Sequence, residues 1–133
     1  MNKTNKNIYA NLPFFLDQLV IKKRFEMIEV IKTFIDNKKI SSVLDIGTTE
    51  DYAHQSSNFI ISNIGGFDEF KSISDQKITS KFFSLKLCKS ITETFLDKEV
   101  ENFKSDLVIS NATIEHVGNF NNQLMMCKNI VKL

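Results

Sequence analysis

The sequence predicts an α/β fold built on a mostly parallel sheet, and three observations carry that expectation. Residues 42–46, Ser-Val-Leu-Asp-Ile, form a short apolar run that ends beside an acid and then a glycine, Gly47. Such a run reads as a buried parallel strand breaking into a turn at its carboxyl end, the edge where open α/β sheets bind ligands. Residues 106–110, Asp-Leu-Val-Ile-Ser, repeat the pattern. Between and around these runs lie segments of helical period, and strands alternating with helices imply parallel βαβ units with right-handed crossovers.

The chain begins with a polar, Asn/Lys-rich segment, residues 1–12, that lacks the apolar core of a secretory signal. Pro13 suits a first helical turn, with Asn11 as a cap. Ile21, Phe25, Ile28, Ile31 and Ile35 then recur at helical spacing among charged residues, which predicts an amphipathic helix, broken near Val20 and closed by the basic turn Asn37-Lys38-Lys39. The first strand follows at 42–46, then the turn Gly47-Thr48-Thr49 and a polar loop at 50–55. Ser56 or Ser57 caps an expected short helix that ends at Gly65-Gly66. Residues 70–74 read as a second strand, with Phe70, Ser72 and Ser74 alternating against Lys71 and Ile73, and Asp75 stands just past it. A third strand is expected at 81–85, a short helix or ordered loop within 91–103, the fourth strand at 106–110, a polar turn with Gly118, and a final helix at 122–131 showing Leu124, Cys127 and Ile130 or Val131 on one side.

Composition narrows the function classes. A chain of 133 residues fits one domain, here residues 13–133. Lys plus Arg is 17 against 16 Asp plus Glu, a net charge of +1. That balance offers no electrostatic argument for nucleic acid or an anionic membrane. No apolar run nears the roughly 20 residues of a membrane span, so a cytoplasmic protein is expected. Cys88 and Cys127 lack C-x-x-C spacing and clustered His, which supports neither a disulfide nor a metal site and predicts free, partly buried thiols.

Three groups of residues fall at the carboxyl edge of the expected sheet. Asp45 and Gly47 come first, where a missing side chain lets a ligand approach the backbone; Asp45 alternatively caps its own turn. Asp75 is placed to accept from vicinal ribose hydroxyls, or is a solvated loop acid. Ser110-Asn111, with Glu115-His116 beyond, forms the third group; the last pair is either a proton acceptor or a structural helix entry.

With these residues in view, the sequence resembles the class I S-adenosylmethionine-dependent methyltransferases, especially the small-molecule group that includes the ubiquinone and menaquinone biosynthesis enzymes. Val43-Leu44-Asp45-Ile46-Gly47 looks like that family's first motif, and residues 106–111 with Ile114-Glu115-His116-Val117 look like its fourth. The resemblance implies a Rossmann-like sheet, S-adenosylmethionine as cofactor and methyl transfer to a small-molecule acceptor. It implies that Asp45, Gly47 and Thr48 border the methionine part, Asp75 holds the ribose, Ser110 and Asn111 help seat the methionine, and His116 assists deprotonation. The chain departs from the family where Thr48, Thr49, Glu50 and Asp51 replace further glycines, where Lys86, Lys89 and Ser90 follow the third strand, and where the last three strands are lacking. Without those strands the fourth strand's edge would be open, so the expectation is either a fragment of a longer enzyme or self-association or a partner chain at that edge, and a truncated non-catalytic cofactor-binding or interaction module is the alternative function.

Overall fold

The computed structural model describes residues 14–48, 66–110 and 113–133. Within them the order is α1 (Phe14–Lys38), β1 (Ser42–Ile46), β2 (Glu69–Ser74), β3 (Leu85–Cys88), α2 (Asp97–Phe103), β4 (Leu107–Ser110) and α3 (Phe120–Ile130). All three strand pairs are parallel, in the order β3-β2-β1-β4. The fold is therefore the expected open, Rossmann-like half-sheet with helices on its faces. The expected cap at Asn11, the loop at 50–55 and the short helix before Gly65 lie outside the described residues.

α1 runs unbroken through Val20, so the expected interruption there is absent. Its end shows how a chain without a convenient glycine closes a helix. Lys39 takes φ +53, and the Ile40 amide donates to the Ile35 carbonyl at 3.2 Å. Ile40 then packs in the same cluster as Ile35, so backbone and apolar contact close the last turn together.

Two cores lie on opposite faces of the sheet. On one, Ile28 and Ile35 of α1 pack on Val43 and Phe70 with Ile78 and Phe83. On the other, Phe103 of α2 and Met126 of α3 cover Leu44, Ile46 and Ile73. β1 and β2 are covered on both faces, which explains why β1 reads as a near-continuous apolar run.

The third strand, expected at 81–85 with Lys86-Leu87-Cys88 as its extension, is Leu85–Cys88, so the extension pairs and the first part does not. Phe83 is buried and stacks on Phe70 at 4.8 Å between ring centroids. The Ser84 amide joins the Phe70 carbonyl at 2.8 Å, and pairing begins only at the next residue. The final helix buries Met126 and Asn129, packs Ile130 partly on the core, and keeps Leu124, Cys127 and Val131 together on its outer side. Cys88 is exposed as well, so neither thiol is the partly buried group expected.

Candidate functional site

Register decides what shares the carboxyl rim. Ile46 lies opposite Ile73 on one side and Ser110 on the other, so Gly47 and Ser74 stand one level past Ser110, with Thr48 and Asp75 a step beyond. Strand order reverses direction at β1: β2 and β3 lie to one side and β4 to the other. That reversal at a carboxyl edge is the position where open α/β sheets form their ligand crevice.

Asp45 is buried on the α1 side of the sheet, the side of Val43 by strand alternation. Its carboxylate accepts from the Thr48 hydroxyl. Burial pushes the carboxyl up to about 6 from 3.8, against the lowering effects of the Thr48 hydroxyl and the Ile46 amide. Thr48 is itself buried, and its carbonyl accepts from Ser74 Oγ at 2.5 Å. Ser74 Oγ in turn accepts from the Gln76 amide at 3.1 Å, and the Gly47 amide donates to the Ile73 carbonyl at 2.9 Å. The turn after β1 is thus bound to the turn after β2 through a polar chain. Ser72, directly opposite Asp45 in register, is buried with no hydrogen-bond partner for its hydroxyl among the described residues.

Gly47 has φ +84, and a Cβ built there would overlap the Thr113 side chain. Thr113 Oγ1 donates to the Ile46 carbonyl at 3.0 Å, and Ser110 Oγ donates to the same carbonyl at 3.3 Å. The close approach that Gly47 permits is therefore used by the segment following β4.

The outer rim carries different groups. Asp75 is exposed, and its carboxylate makes no hydrogen bond or ion pair among the described residues. His116 is exposed in the turn before α3, its amide donating to the Thr113 carbonyl at 2.9 Å. Asn111 lies outside the described residues. Lys86 and Lys89 are held internally: Lys86 Nζ donates to the Ser80 carbonyl at 2.9 Å, and Lys89 Nζ pairs with Glu99 at 2.6 Å over the Phe95 ring. An open depression of about 620 Å³ lies away from this rim, against Met125, Lys128 and Val131 of the last helix and Thr94.

The rim thus brings together Asp45, Gly47, Thr48, Asp75 and Ser110, with the interior of the turn closed by Thr48, Ser74 and Thr113 and the outside presenting Asp75, Ser110 and His116. Sequence reading missed Ser72, Ser74 and Thr113 as parts of this rim. The two serines were accessible by aligning alternate positions of β2 with Asp45; nothing local marks Thr113.

The fold and this rim define a Rossmann-like α/β unit with its crevice position at β1. No family model matches the chain, and neither curated proteins nor solved structures give a match.

Proposed function

We propose that this chain binds S-adenosylmethionine at the carboxyl rim around β1 and transfers its methyl group to a small-molecule acceptor. The observation that supports it best is the reversal of strand order at β1, beside which stands an exposed carboxylate, Asp75, with no partner among the described residues. An exposed acid one step past an inner strand suits a pair of ribose hydroxyls, each able to donate to a carboxylate oxygen. The interior of the turn fits less simply, because Asp45 is engaged by Thr48 and the open side of Gly47 by Thr113. In this reading Asp45, Gly47 and Thr48 shape the floor of the site, while Asp75 and Ser110 face the nucleoside.

When bound, the sulfonium supplies an electrophilic methyl group; the chain's own residues orient the partners and exclude water. His116, exposed in the turn before α3, is the proton acceptor for a hydroxyl or amine acceptor. Calorimetric titration of the full chain with S-adenosylhomocysteine should give saturable heat. Asp75→Ala should weaken that binding by about 10-fold or more, the usual effect of losing charge-assisted hydrogen bonds. His116→Ala should leave affinity intact and slow transfer. Neither heat nor a thermal shift from the full chain would remove the proposal.

A second reading, a binding module without turnover, is favoured by the Thr113 contact that fills the glycine's open side. It predicts binding of the nucleoside without methyl transfer to any acceptor.

A further inference from the structure

We propose that Asp45 and Ser72 form a proton-operated tie between the ends of β1 and β2: when Asp45 loses its proton, the Ser72 hydroxyl turns onto the carboxylate and draws together the two turns that carry Thr48 and Asp75. This inference is independent of the proposed reaction. Ser72 is 1% exposed, and its hydroxyl makes no hydrogen bond among the described residues. A buried hydroxyl left unpaired costs free energy, and a second arrangement in which it is paired accounts for its place in the core.

Register supplies that arrangement. Asp45 lies opposite Ser72 on β2 and opposite Ile109 on β4, and strand alternation puts all three side chains on the α1 face. Neighbouring strands are about 4.8 Å apart, so one rotation of the serine side chain between staggered positions brings its hydroxyl within reach of the carboxylate. An ionised carboxyl group offers about four acceptor positions. Asp45 uses them for the Thr48 hydroxyl and the Ile46 amide, which leaves room for a further donor.

Loss of the proton is what recruits the serine. Burial holds the Asp45 carboxyl up at about 6 from 3.8, so the neutral form persists well above the ordinary range. Once ionised, the group gains more from a donor, because a hydrogen bond to a charged acceptor is roughly twice as strong as one between neutral groups. Among the described residues no charge on this face competes. β2 presents Phe70, Ser72 and Ser74 there, β4 presents Leu107 and Ile109, and Ile78 and Phe83 complete the core. α1 turns Ile28, Ile31 and Ile35 inward, while its Lys23 and Lys32 pair with Glu26 and Glu29 on the outside. The tie also has a route to the rim. Thr48 donates to Asp45 through its hydroxyl and accepts from Ser74 Oγ on its carbonyl at 2.5 Å, and Ser74 Oγ accepts from the Gln76 amide at 3.1 Å. Asp75 lies between those last two residues, so a change at Asp45 reaches the turn that carries it.

Isotope-edited NMR of the full chain reads both ends of the tie. The Asp45 carboxyl carbon should titrate near pH 6, and the Thr48, Ser74 and Gln76 amides should follow with the same midpoint. In Asp45→Asn those amides should no longer titrate together. Ser72→Ala should raise the Asp45 midpoint by about half to one pH unit, the loss of one charge-assisted donor. In urea the same variant should equal or exceed the natural chain's stability at pH 4.5, where it removes only an unpaired hydroxyl, and fall below it at pH 7.5. An Asp45 midpoint unmoved by Ser72→Ala, or amides that do not follow the carboxyl, would overturn the proposal. So would a carboxyl that titrates near its ordinary 3.8 in the natural chain, a result that needs no variant to fold.

Discussion

Two residues of the β1 turn carry opposite strains. Gly47 holds φ +84 against the Thr113 side chain, so Gly47→Ala both forces an L-residue into the left-handed region and displaces Thr113. The expected cost is about 1–3 kcal/mol in urea unfolding, and Thr113→Ala in the same chain should recover part of it by clearing the Cβ. Asp45 carries an electrostatic cost instead. Its folded carboxyl titrates near 6 and its unfolded one near 3.8, so the native form binds the proton more tightly. Its contribution favours folding fully below 3.8 and is lost as pH rises through 6, the reverse of a salt-bridged acid. Asp45→Asn keeps an acceptor for Thr48 and removes the ionisation. At pH 7.5 it should be more stable than the natural chain by up to about 3 kcal/mol, a difference that closes toward pH 4 in chemical denaturation. That Asp45 and Gly47 matter was legible in the sequence, since an acid and a glycine end an apolar run. What fills the glycine's open side was not, because Thr113 arrives from a distant segment by packing alone.

Elements are joined here by a few buried polar side chains acting on backbone carbonyls. Lys71, on β2, buries its stem and donates to the Lys104 carbonyl at 3.0 Å, with Glu69 at 3.1 Å from the same ammonium. Lys104 caps α2, so the cation answers the helix's unpaired carbonyl end. Lys71→Met should preserve the stem's packing and lose about 1–3 kcal/mol of stability, with faster amide exchange in α2 as the local readout. Asn129 does the same for α3 through its amide nitrogen, 2.6 Å from the Ile91 carbonyl and 2.9 Å from that of Glu93. Asn129→Asp replaces the donor by an acceptor facing two carbonyls, so it should destabilise more than Asn129→Leu, which costs about 1–3 kcal/mol. Such staples explain why element positions were legible while their orientation was not. The periodicity of 122–131 announced a helix with Leu124, Cys127 and Ile130 or Val131 on one side, but not which side faces the sheet. A buried asparagine satisfying a loop leaves no hydrophobic signature, and Asn129 with Met126 fixes the inner side. The third strand begins later than expected for a related reason: adjacent phenylalanines announce burial without saying whether a strand or an irregular turn delivers it.

For the whole molecule, the sheet divides two apolar cores that share no side chain. Alternating strands and helices made the α/β class legible, and the two clearest apolar runs became the adjacent strands β1 and β4. The pairing order was not available locally, because parallel neighbours are joined by crossovers whose route depends on packing. Ile28 stands in the core under α1 and Ile46 in the core under α2 and α3, both essentially inaccessible to solvent. Ile28→Val and Ile46→Val should each cost about 0.5–1.5 kcal/mol, the loss of one buried methylene at a packed site. Their partners are distinct and the strand backbone stands between them, so the double variant should equal the sum within about 0.5 kcal/mol. If both cores belong to one cooperative unit, every variant should also retain a single unfolding transition with an unchanged denaturant slope. Coupling larger than that would mean the sheet transmits a displacement between its faces. A second transition in one single variant would mean that one layer of helices unfolds independently of the other.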